Sequence, residues 1–258
     1  MMVPSQVGPA PTMQQPQPLG LVMAGGQPML VAQQGTLQTT APGWPRGLEA
    51  LAYADQLVVQ QKMELLEAFT GFETANKYVI KTSTGQAVYY AAEQSGCCTR
   101  CCCGRGRPFR MSVVDAAQVE VLSMDRPLKC QCCCCFCCLQ ELEVSAGGMP
   151  MGTVTQEWSV MKPSFSVRGP DGQVRLQIHG PCCVCKCCAD VDFPVMSADG
   201  SRQVGTITKQ WGGMTKEVFT DASTFGVTFP HGLDPATKAT LFGATFLIGY
   251  MFFERDSN

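Results

Sequence analysis

Three groups of cysteines are the residues of this sequence with the most evident chemical potential. The central run is "KCQCCCCFCCLQ" (Lys129–Gln140), in which seven of twelve residues are cysteine. It lies between "CCTRCCC" (Cys97–Cys103) and "CCVCKCC" (Cys182–Cys188), and the three groups hold all 17 cysteines of the 258-residue chain. Thiols can bind metals, do redox chemistry, form disulfides, accept acyl chains or pack as small apolar side chains.

Disulfides and metal binding account poorly for this pattern. An odd number of cysteines cannot all pair within one chain, and the sequence has no recognisable secretory signal, which predicts a reducing compartment. Two C-x-x-C spacings, Cys98–Cys101 and Cys182–Cys185, would suit a structural zinc site. A tetrahedral zinc ion uses only four thiolates, however, and an iron–sulfur cluster meets the same objection, so both remain secondary alternatives.

S-acylation accounts better for the central run, because it requires only exposed thiols near a membrane and tolerates redundancy. Each buried methylene contributes about 0.8 kcal/mol and one acyl chain anchors a protein only marginally, so several chains would hold it firmly. For the two flanking groups, the preferred interpretation is that many cysteines pack as small buried apolar residues.

The composition divides the chain into a tail and one domain. Residues 1–46 contain eight prolines and eight glutamines, with Arg46 as their only charged side chain. Such a segment cannot bury enough apolar surface to offset its ordering entropy, which predicts a disordered tail. Its "PGWP" (Pro42–Pro45) fits the P-x-x-P pattern of SH3 or WW ligands. Residues 47–254 are expected to form the domain and residues 255–258 a short tail.

Hairpin signals recur through the domain. Residues 47–69 suit a short helix that leads into a strand. Turns are then predicted between β-rich runs at Ser83–Gly85, Asp115–Gln118, Pro170–Gly172 and Asp199–Gly200. Because these strands follow one another without an intervening helical pattern, the sequence predicts an all-β sandwich or barrel.

An uncharged apolar segment, Ala239–Phe253, ends the domain. As a helix it would be about 22 Å long, which is short of the roughly 30 Å core of a bilayer. A helix that is apolar all round should be buried, either inside the β-domain, which its length favours, or as a short membrane-inserted segment. The residues expected to line this core or membrane helix are Ala239, Leu241, Phe242, Phe246, Leu247, Ile248, Tyr250, Phe252 and Phe253.

From Gly47 to Glu254 the sequence resembles the phospholipid scramblase family. The stretches that carry the resemblance are "GFETANKY" (Gly71–Tyr78), "CCTRCCCG" (Cys97–Gly104), "CCCFCCLQELEV" (Cys133–Val144), "DVDF" (Asp190–Phe193), "KQWGGMTKEVFTDA" (Lys209–Ala222) and "GATFLIGYMFFE" (Gly243–Glu254).

The resemblance implies a fold and a modification. The fold would be mainly β and tubby-like, a closed twelve-stranded barrel around a buried C-terminal hydrophobic helix. The modification would be palmitoylation, because the family's CCCPCC motif matches this chain with Phe136 in place of the proline. The palmitoylation candidates are Cys133, Cys134, Cys135, Cys137 and Cys138.

The resemblance also implies a calcium segment, "DASTFGVTFPHG" (Asp221–Gly232). Asp221 and Phe225 match the family, whereas Ser223 and Gly232 stand where relatives usually carry acids. Calcium prefers six to eight oxygen ligands and its affinity follows their charge, so weak or absent binding is expected. The candidate calcium residues are Asp221, Ser223, Phe225 and Asp234.

The function implied by the resemblance is phospholipid scrambling, the ATP-independent, bidirectional movement of phospholipids between leaflets, with calcium as the family's trigger. Such a protein is not an enzyme, since no covalent catalysis is involved, and it needs no nucleotide. It would be held by palmitoylated cysteines on the cytoplasmic face of a membrane, first of all the plasma membrane, with the nucleus and organelle membranes as alternatives. The alternative function is an acyl-anchored, tubby-like membrane adaptor without lipid transport.

The expected partners are membrane phospholipids and SH3 or WW proteins that bind residues 1–46, while oligomerisation is left open. The net charge of −2 argues against charge-driven binding to nucleic acid. "RGRP" (Arg105–Pro108) copies the core of a minor-groove AT-hook, but a plain basic loop is the preferred interpretation.

Overall fold

A computed structural model describes residues 21–24, 27–30, 44–62, 76–96, 103, 106–129, 138–182, 190–210 and 224–254. The chain divides into two units, residues 1–39 and 40–258. In the first unit, β1 (Leu21–Ala24) and β2 (Gln27–Leu30) pair as an antiparallel hairpin. Two short strands therefore lie within the segment expected to be disordered, and for the rest of that segment disorder stays a prediction.

The second unit is a closed barrel of twelve antiparallel strands. Each strand pairs with the next one along the chain, and the last strand pairs with the first to close the barrel. The strands are β3 (Gln56–Gln61), β4 (Lys77–Thr82), β5 (Ala87–Gln94), β6 (Phe109–Val114), β7 (Glu120–Arg126), β8 (Glu141–Ala146), β9 (Met149–Glu157), β10 (Ser164–Arg168), β11 (Val174–His179), β12 (Val191–Ser197), β13 (Gln203–Gln210) and β14 (Thr224–Thr228).

This topology gives the barrel two distinct ends. The tight turns β4–β5, β6–β7, β8–β9, β10–β11 and β12–β13 lie at one end, which we call the turn end. All four predicted turns are among them, and Gly85, Gly172 and Gly200 adopt the positive φ that favours glycine. Strands β5, β7 and β11 finish at the opposite end, and the three cysteine groups follow them in the chain, so we call this the cysteine end.

The barrel interior is apolar because side chains alternate along each strand. In β8, for example, Leu142, Val144 and Ala146 are buried, while Glu143 between them is exposed. The side chains of alternate strand residues point to opposite faces of a sheet, so each strand contributes one row to the interior. These rows alone leave the centre of a twelve-stranded barrel open, and a helix fills it.

That helix, α2 (Pro235–Ile248), runs from the turn end to the cysteine end and continues as a π-helical turn, Gly249–Phe253. It begins where Asp234 caps it, with the Asp234 carboxylate accepting a 3.0 Å hydrogen bond from the Thr237 amide, and Pro235 fits the first turn. Residues 237–250 are all buried. The tubby-like fold is thus confirmed, and of the two expected locations for the helix, the protein interior is correct.

Glycines allow the helix to lie very close to the strands. A Cβ on Gly243 would come within 2.7 Å of Val144 Cγ2, and a Cβ on Gly152 within 2.2 Å of the Arg168 carbonyl oxygen and 2.6 Å of Thr240 Oγ1. Real Cβ atoms do not come this close to non-bonded heavy atoms. Larger side chains at Gly152 and Gly243 would therefore push the helix away from β8 and β9.

The predicted short helix, α1 (Glu49–Tyr53), leads into β3 and covers the turn end. Tyr89 ties it to the barrel: its hydroxyl donates to the Gly47 carbonyl oxygen at 2.8 Å and accepts from the Leu51 amide at 3.1 Å. Lys238 of α2 donates from Nζ to the Ala52 carbonyl oxygen at 2.9 Å. Trp44 also packs against the core, so the folded unit begins before the predicted boundary at Gly47.

Candidate functional site

The cysteine end of the barrel is the candidate functional site, because the antiparallel order brings the connections that carry all three cysteine groups to this one end. Cys103 is half-buried, Cys182 is exposed and Cys138 is buried at 8% exposure. The other predicted palmitoylation residues, Cys133, Cys134, Cys135 and Cys137, lie outside the described residues. Their modification stays a prediction.

A buried polar cluster fixes the chain just after the central run. Arg126 at the end of β7 donates from Nη2 to Gln140 Oε1 at 2.7 Å, and Gln140 Nε2 donates to the Cys138 carbonyl oxygen at 2.9 Å. Burial lowers the pKa of Arg126 to about 10, with the nearby positive charge of Arg107 as a second cause. Arg126 nevertheless stays protonated at neutral pH and holds the start of β8 in place.

A second buried cluster lies where α2 reaches the cysteine end. Arg107 donates from Nε to Glu93 Oε1 at 2.7 Å and from Nη1 to Glu254 Oε2 at 2.8 Å. Tyr250 donates from its hydroxyl to Glu93 Oε2 at 2.7 Å, and Asn76 Nδ2 donates to the same oxygen, also at 2.7 Å. One arginine thus joins the end of β5, the start of β6 and the C-terminus of the central helix.

Charge matching keeps this cluster ionised. Burial alone would raise the pKa of Glu93, but hydrogen bonds from Arg107 and Tyr250 hold it below its usual value. Burial would lower the pKa of Arg107, and the two carboxylates raise it above its usual value. The cluster thus joins β5 to β6, the two strands between which the first cysteine group lies in the chain.

The AT-hook interpretation of "RGRP" does not agree with this geometry for Arg107. Its side chain is buried and bound to two carboxylates, so it is not available to a DNA groove.

The two histidines have ordinary surroundings. His179 accepts or donates a 3.3 Å hydrogen bond with Ser164, and His231 is exposed beside Asp55.

Two of the four calcium candidates lie within the described residues, at opposite ends of β14. Asp221 and Ser223 lie outside the described residues. Phe225, near the start of β14, is buried and lies under the Lys209 ammonium, 4.7 Å from the ring centre. Asp234 lies beyond the other end of β14, where both of its oxygens accept hydrogen bonds from Thr237. The structure therefore does not bring Phe225 and Asp234 together.

The middle of the calcium segment is strand. Thr224–Thr228 pairs with β13 on one side and with β3 on the other. A loop that wraps around one calcium ion needs to fold back on itself, which a strand paired on both sides does not do. Within the described part of the chain, no group of three or more His, Cys, Asp or Glu residues is arranged to hold a metal ion.

The central helix is the element whose composition would suit a membrane. Among the described residues, Pro235–Phe253 is the one helix long and apolar enough to cross a bilayer, and 78% of its most apolar stretch is buried inside the barrel. Buried core helices of soluble proteins have the same composition. The nine residues expected to line this helix accordingly face the strands, with Phe252 only partly buried.

Sequence reasoning missed two features of this end. The ion-paired residues Glu93, Arg107 and Glu254 are far apart in the sequence, and nothing in their local pattern indicates that they meet. The loop between β9 and β10, "WSVMKP" (Trp158–Pro163), exposes apolar side chains. Its residues do not alternate between apolar and polar as those of a half-buried strand do, and this was the one sequence signal that could have indicated a loop.

Comparison with known proteins places the chain among scramblases. A family model described as Scramblase matches residues 35–255. The chain is 49% identical to phospholipid scramblase 1 of Mus musculus over 235 residues, which cover 91% of this chain and 70% of the relative. It is 51% identical to phospholipid scramblase 2 of Bos taurus, over 81% of this chain and 72% of the relative. Phospholipid scramblase family member 5 of Homo sapiens is 42% identical, over 82% of this chain and 79% of the relative. No solved structure matches.

Proposed function

Because this chain belongs to the phospholipid scramblase family, we propose that it moves phospholipids between bilayer leaflets in both directions and without ATP, as a protein attached to a membrane surface. The observation that carries the proposal is the family match, which includes the whole barrel and the central helix. No bond of the lipid or the protein is made or broken, so the proposed activity is transport rather than enzymatic catalysis.

The packing of α2 constrains how such transport would work. The barrel interior is filled with apolar side chains, including Phe242, Phe246 and Tyr250. A phospholipid headgroup passing through it would have to leave water without gaining hydrogen bonds, which costs several kcal/mol. We therefore infer that lipids would cross outside the barrel, where the protein disturbs the bilayer at its surface.

We propose that palmitoylation of the central run supplies the attachment. The run lies between β7, which ends at the cysteine end, and β8, which begins there, so acyl chains on the run would hold that end against the membrane. Cys138 is buried, and a buried thiol is a poor substrate for an acyltransferase. The proposed sites are therefore Cys133, Cys134, Cys135 and Cys137, on the cytoplasmic face, first of all of the plasma membrane.

Calcium activation is proposed only in a weak form. Asp221 is the remaining acidic match to the family segment, and Asp234 is occupied as a helix cap at the other end of β14. Any calcium response should therefore depend on Asp221. Calcium-stimulated scrambling that stays equally strong after Asp221→Ala would show that the ion binds elsewhere.

The second candidate function is a membrane adaptor without lipid transport. The observation that favours it is again the buried helix, which leaves no lipid path through the barrel. In this case residues 1–46 would recruit SH3 or WW proteins. The packing of Trp44 against the core removes part of "PGWP" from the tail, so such partners would have to use residues further towards the N-terminus.

A reconstitution experiment separates the two candidates. Palmitoylated protein would be placed in vesicles, and the fraction of fluorescent phospholipid accessible to dithionite would be followed over time. The control is a variant with serine at the four proposed acylation sites, attached at equal density through a polyhistidine tag and a nickel-chelating lipid. Scrambling that is faster with both proteins than in protein-free vesicles supports the proposed function. No scrambling with either protein refutes it and favours the adaptor function.

Deletion of Ala239–Phe253 is unsuitable as a control in that experiment. These residues fill the barrel, so their removal would unfold the protein rather than remove a lipid path. Point variants that leave the core intact are required.

A further inference from the structure

The loop between β9 and β10 exposes an unusual run of apolar side chains. Trp158 is 51% exposed, Val160 79% and Met161 73%, and Lys162 beside them is also exposed. Single exposed apolar residues are common on protein surfaces, but three within four positions concentrate apolar side chains in one short loop. Leu128, which follows β7, is 63% exposed at the same end of the barrel.

The base of this loop is well fixed. Glu157 at the end of β9 binds Arg168 at 3.0 Å, and the Lys162 amide donates to Ser159 Oγ at 3.4 Å. The Gly180 amide donates to the Pro163 carbonyl oxygen at 2.7 Å. Gly180 begins the connection that carries the third cysteine group, so the loop and that connection are held together.

We propose that Trp158–Lys162 is a membrane-docking loop whose apolar side chains insert into the interface of a phospholipid bilayer. The inference deepens the proposed function and rests on it, because the loop leaves the barrel at the cysteine end, where acyl chains would enter the same membrane. Tryptophan prefers the headgroup level of a bilayer, because its ring is largely apolar but carries a polar N–H group. Val160 and Met161 would reach the boundary of the acyl chains.

The neighbouring charge fits a lipid surface. Lys162 can lay its aliphatic stem along apolar groups and place its ammonium among anionic headgroups. An anchor elsewhere on the same end gives the loop a high effective concentration at the bilayer, so even weak insertion would be persistent. Two attachments at one end would set the barrel axis relative to the membrane, which one flexible anchor cannot do.

The test uses the full chain made without acylation, so that the loop is the only proposed attachment. The variant is Trp158→Ser, Val160→Ser and Met161→Ser together. The matched control carries Tyr53→Ser, Val119→Ser and Met149→Ser, which removes three exposed side chains of similar kinds from the turn end. Unfolding midpoints of both variants should equal that of the wild type, which shows that the barrel is intact.

Binding to vesicles of phosphatidylcholine and phosphatidylserine would be measured by co-sedimentation. We expect the loop variant to bind the vesicles at least about tenfold more weakly than the wild type, because it loses the free energy of burying three apolar side chains in the bilayer. The control variant should bind like the wild type. Brominated lipids should also quench wild-type tryptophan fluorescence more than that of Trp158→Phe.

Equal vesicle binding by wild type and loop variant would overturn the proposal, as would an equal loss in the control. A loop variant that changes only the sedimentation coefficient of the free protein would show that a second copy of the chain covers the loop, which also overturns it. The outcome is separate from that of the proposed function: a loop that docks in a protein without scrambling activity would refute the function and retain the inference.

Discussion

Arg107→Met tests whether the buried ion-pair cluster holds the central helix in the barrel. Methionine keeps the length and apolar stem of arginine but removes its charge and all five donors. The substitution would leave Glu93, whose side chain is 0% exposed, with a buried negative charge that has lost its ion-pair partner but keeps hydrogen bonds such as those from Tyr250 and Asn76. Glu254 is better solvated and would be less affected.

The expected loss is large. Breaking a buried ion pair by removing one partner costs about 3–5 kcal/mol, because the other charge stays buried without compensation. The matched control is Arg110→Met on the neighbouring strand residue, whose contacts with Glu120 and Asp125 are 3.5 and 3.8 Å long and exposed. Exposed pairs of that kind contribute roughly 0–1 kcal/mol.

The effect of Arg107→Met on the free energy of unfolding should depend on pH. In the wild type, the lowered pKa of Glu93 contributes stability that is present above the unfolded pKa and lost as the pH falls through the folded pKa. Without Arg107, burial would raise the pKa of Glu93 above the unfolded value. The variant would then recover stability as the pH falls, so the difference between the two proteins should narrow from neutral pH towards the ordinary glutamate pKa of 4.5.

The assay is urea unfolding followed by circular dichroism at several pH values. The double variant Arg107→Met, Glu93→Gln should regain much of the lost stability, because it removes the buried charge together with its partner. A loss no larger than that of Arg110→Met, or a difference that stays constant as the pH is lowered, would refute the reasoning.

Three further predictions concern the helix and the site. Gly249→Asp should lower the free energy of unfolding by roughly 2–4 kcal/mol, since its Cβ would lie 3.2 Å from Phe225 Cζ and its carboxylate would be buried. Urea unfolding would measure the change in the free energy of unfolding, and an unchanged value would contradict the prediction. Asp234→Ala should lower the free energy of unfolding by about 1 kcal/mol through loss of the helix cap, and by the same amount with and without calcium. If calcium stabilised the wild type more than the variant, Asp234 would be a calcium ligand. In acyl-exchange mass tagging of protein from cells, Cys138→Ala should leave the number of tags unchanged, whereas Cys133→Ala should remove one.

Much of the fold was readable from local sequence signals. The turns at Ser83–Gly85 and Asp199–Gly200 depend on residues that are neighbours in the chain. The cap at Asp234 is equally local, but that residue was predicted as a calcium candidate instead. The length of Ala239–Phe253 correctly favoured burial in the protein. Closure of the barrel and its twelve strands came from the family resemblance, because pairing of β14 with β3 leaves no local pattern.

The candidate site was less predictable for the same reason. The Arg107–Glu254 contact joins residues 147 positions apart, and each looks like an ordinary surface charge in its own stretch of sequence. Gln140 bonds the Cys138 carbonyl oxygen from two residues away, but Arg126, which holds Gln140, belongs to the preceding strand and is brought there by the fold. That all three cysteine groups follow strands ending on one side of the barrel is a property of antiparallel order, which no single segment contains.

The position of α2 after all twelve barrel strands has a consequence for biosynthesis. The ribosome delivers the twelve strands before the helix that they enclose, and β3 must wait for β14 before the sheet can close. Until α2 emerges, the nascent chain therefore has two unpaired sheet edges and an unfilled barrel, which is a state prone to aggregation. We expect the domain to fold only after α2 has left the ribosome and to need chaperones until then. A premature stop even a few residues before Phe253 would cost the whole domain rather than its tail.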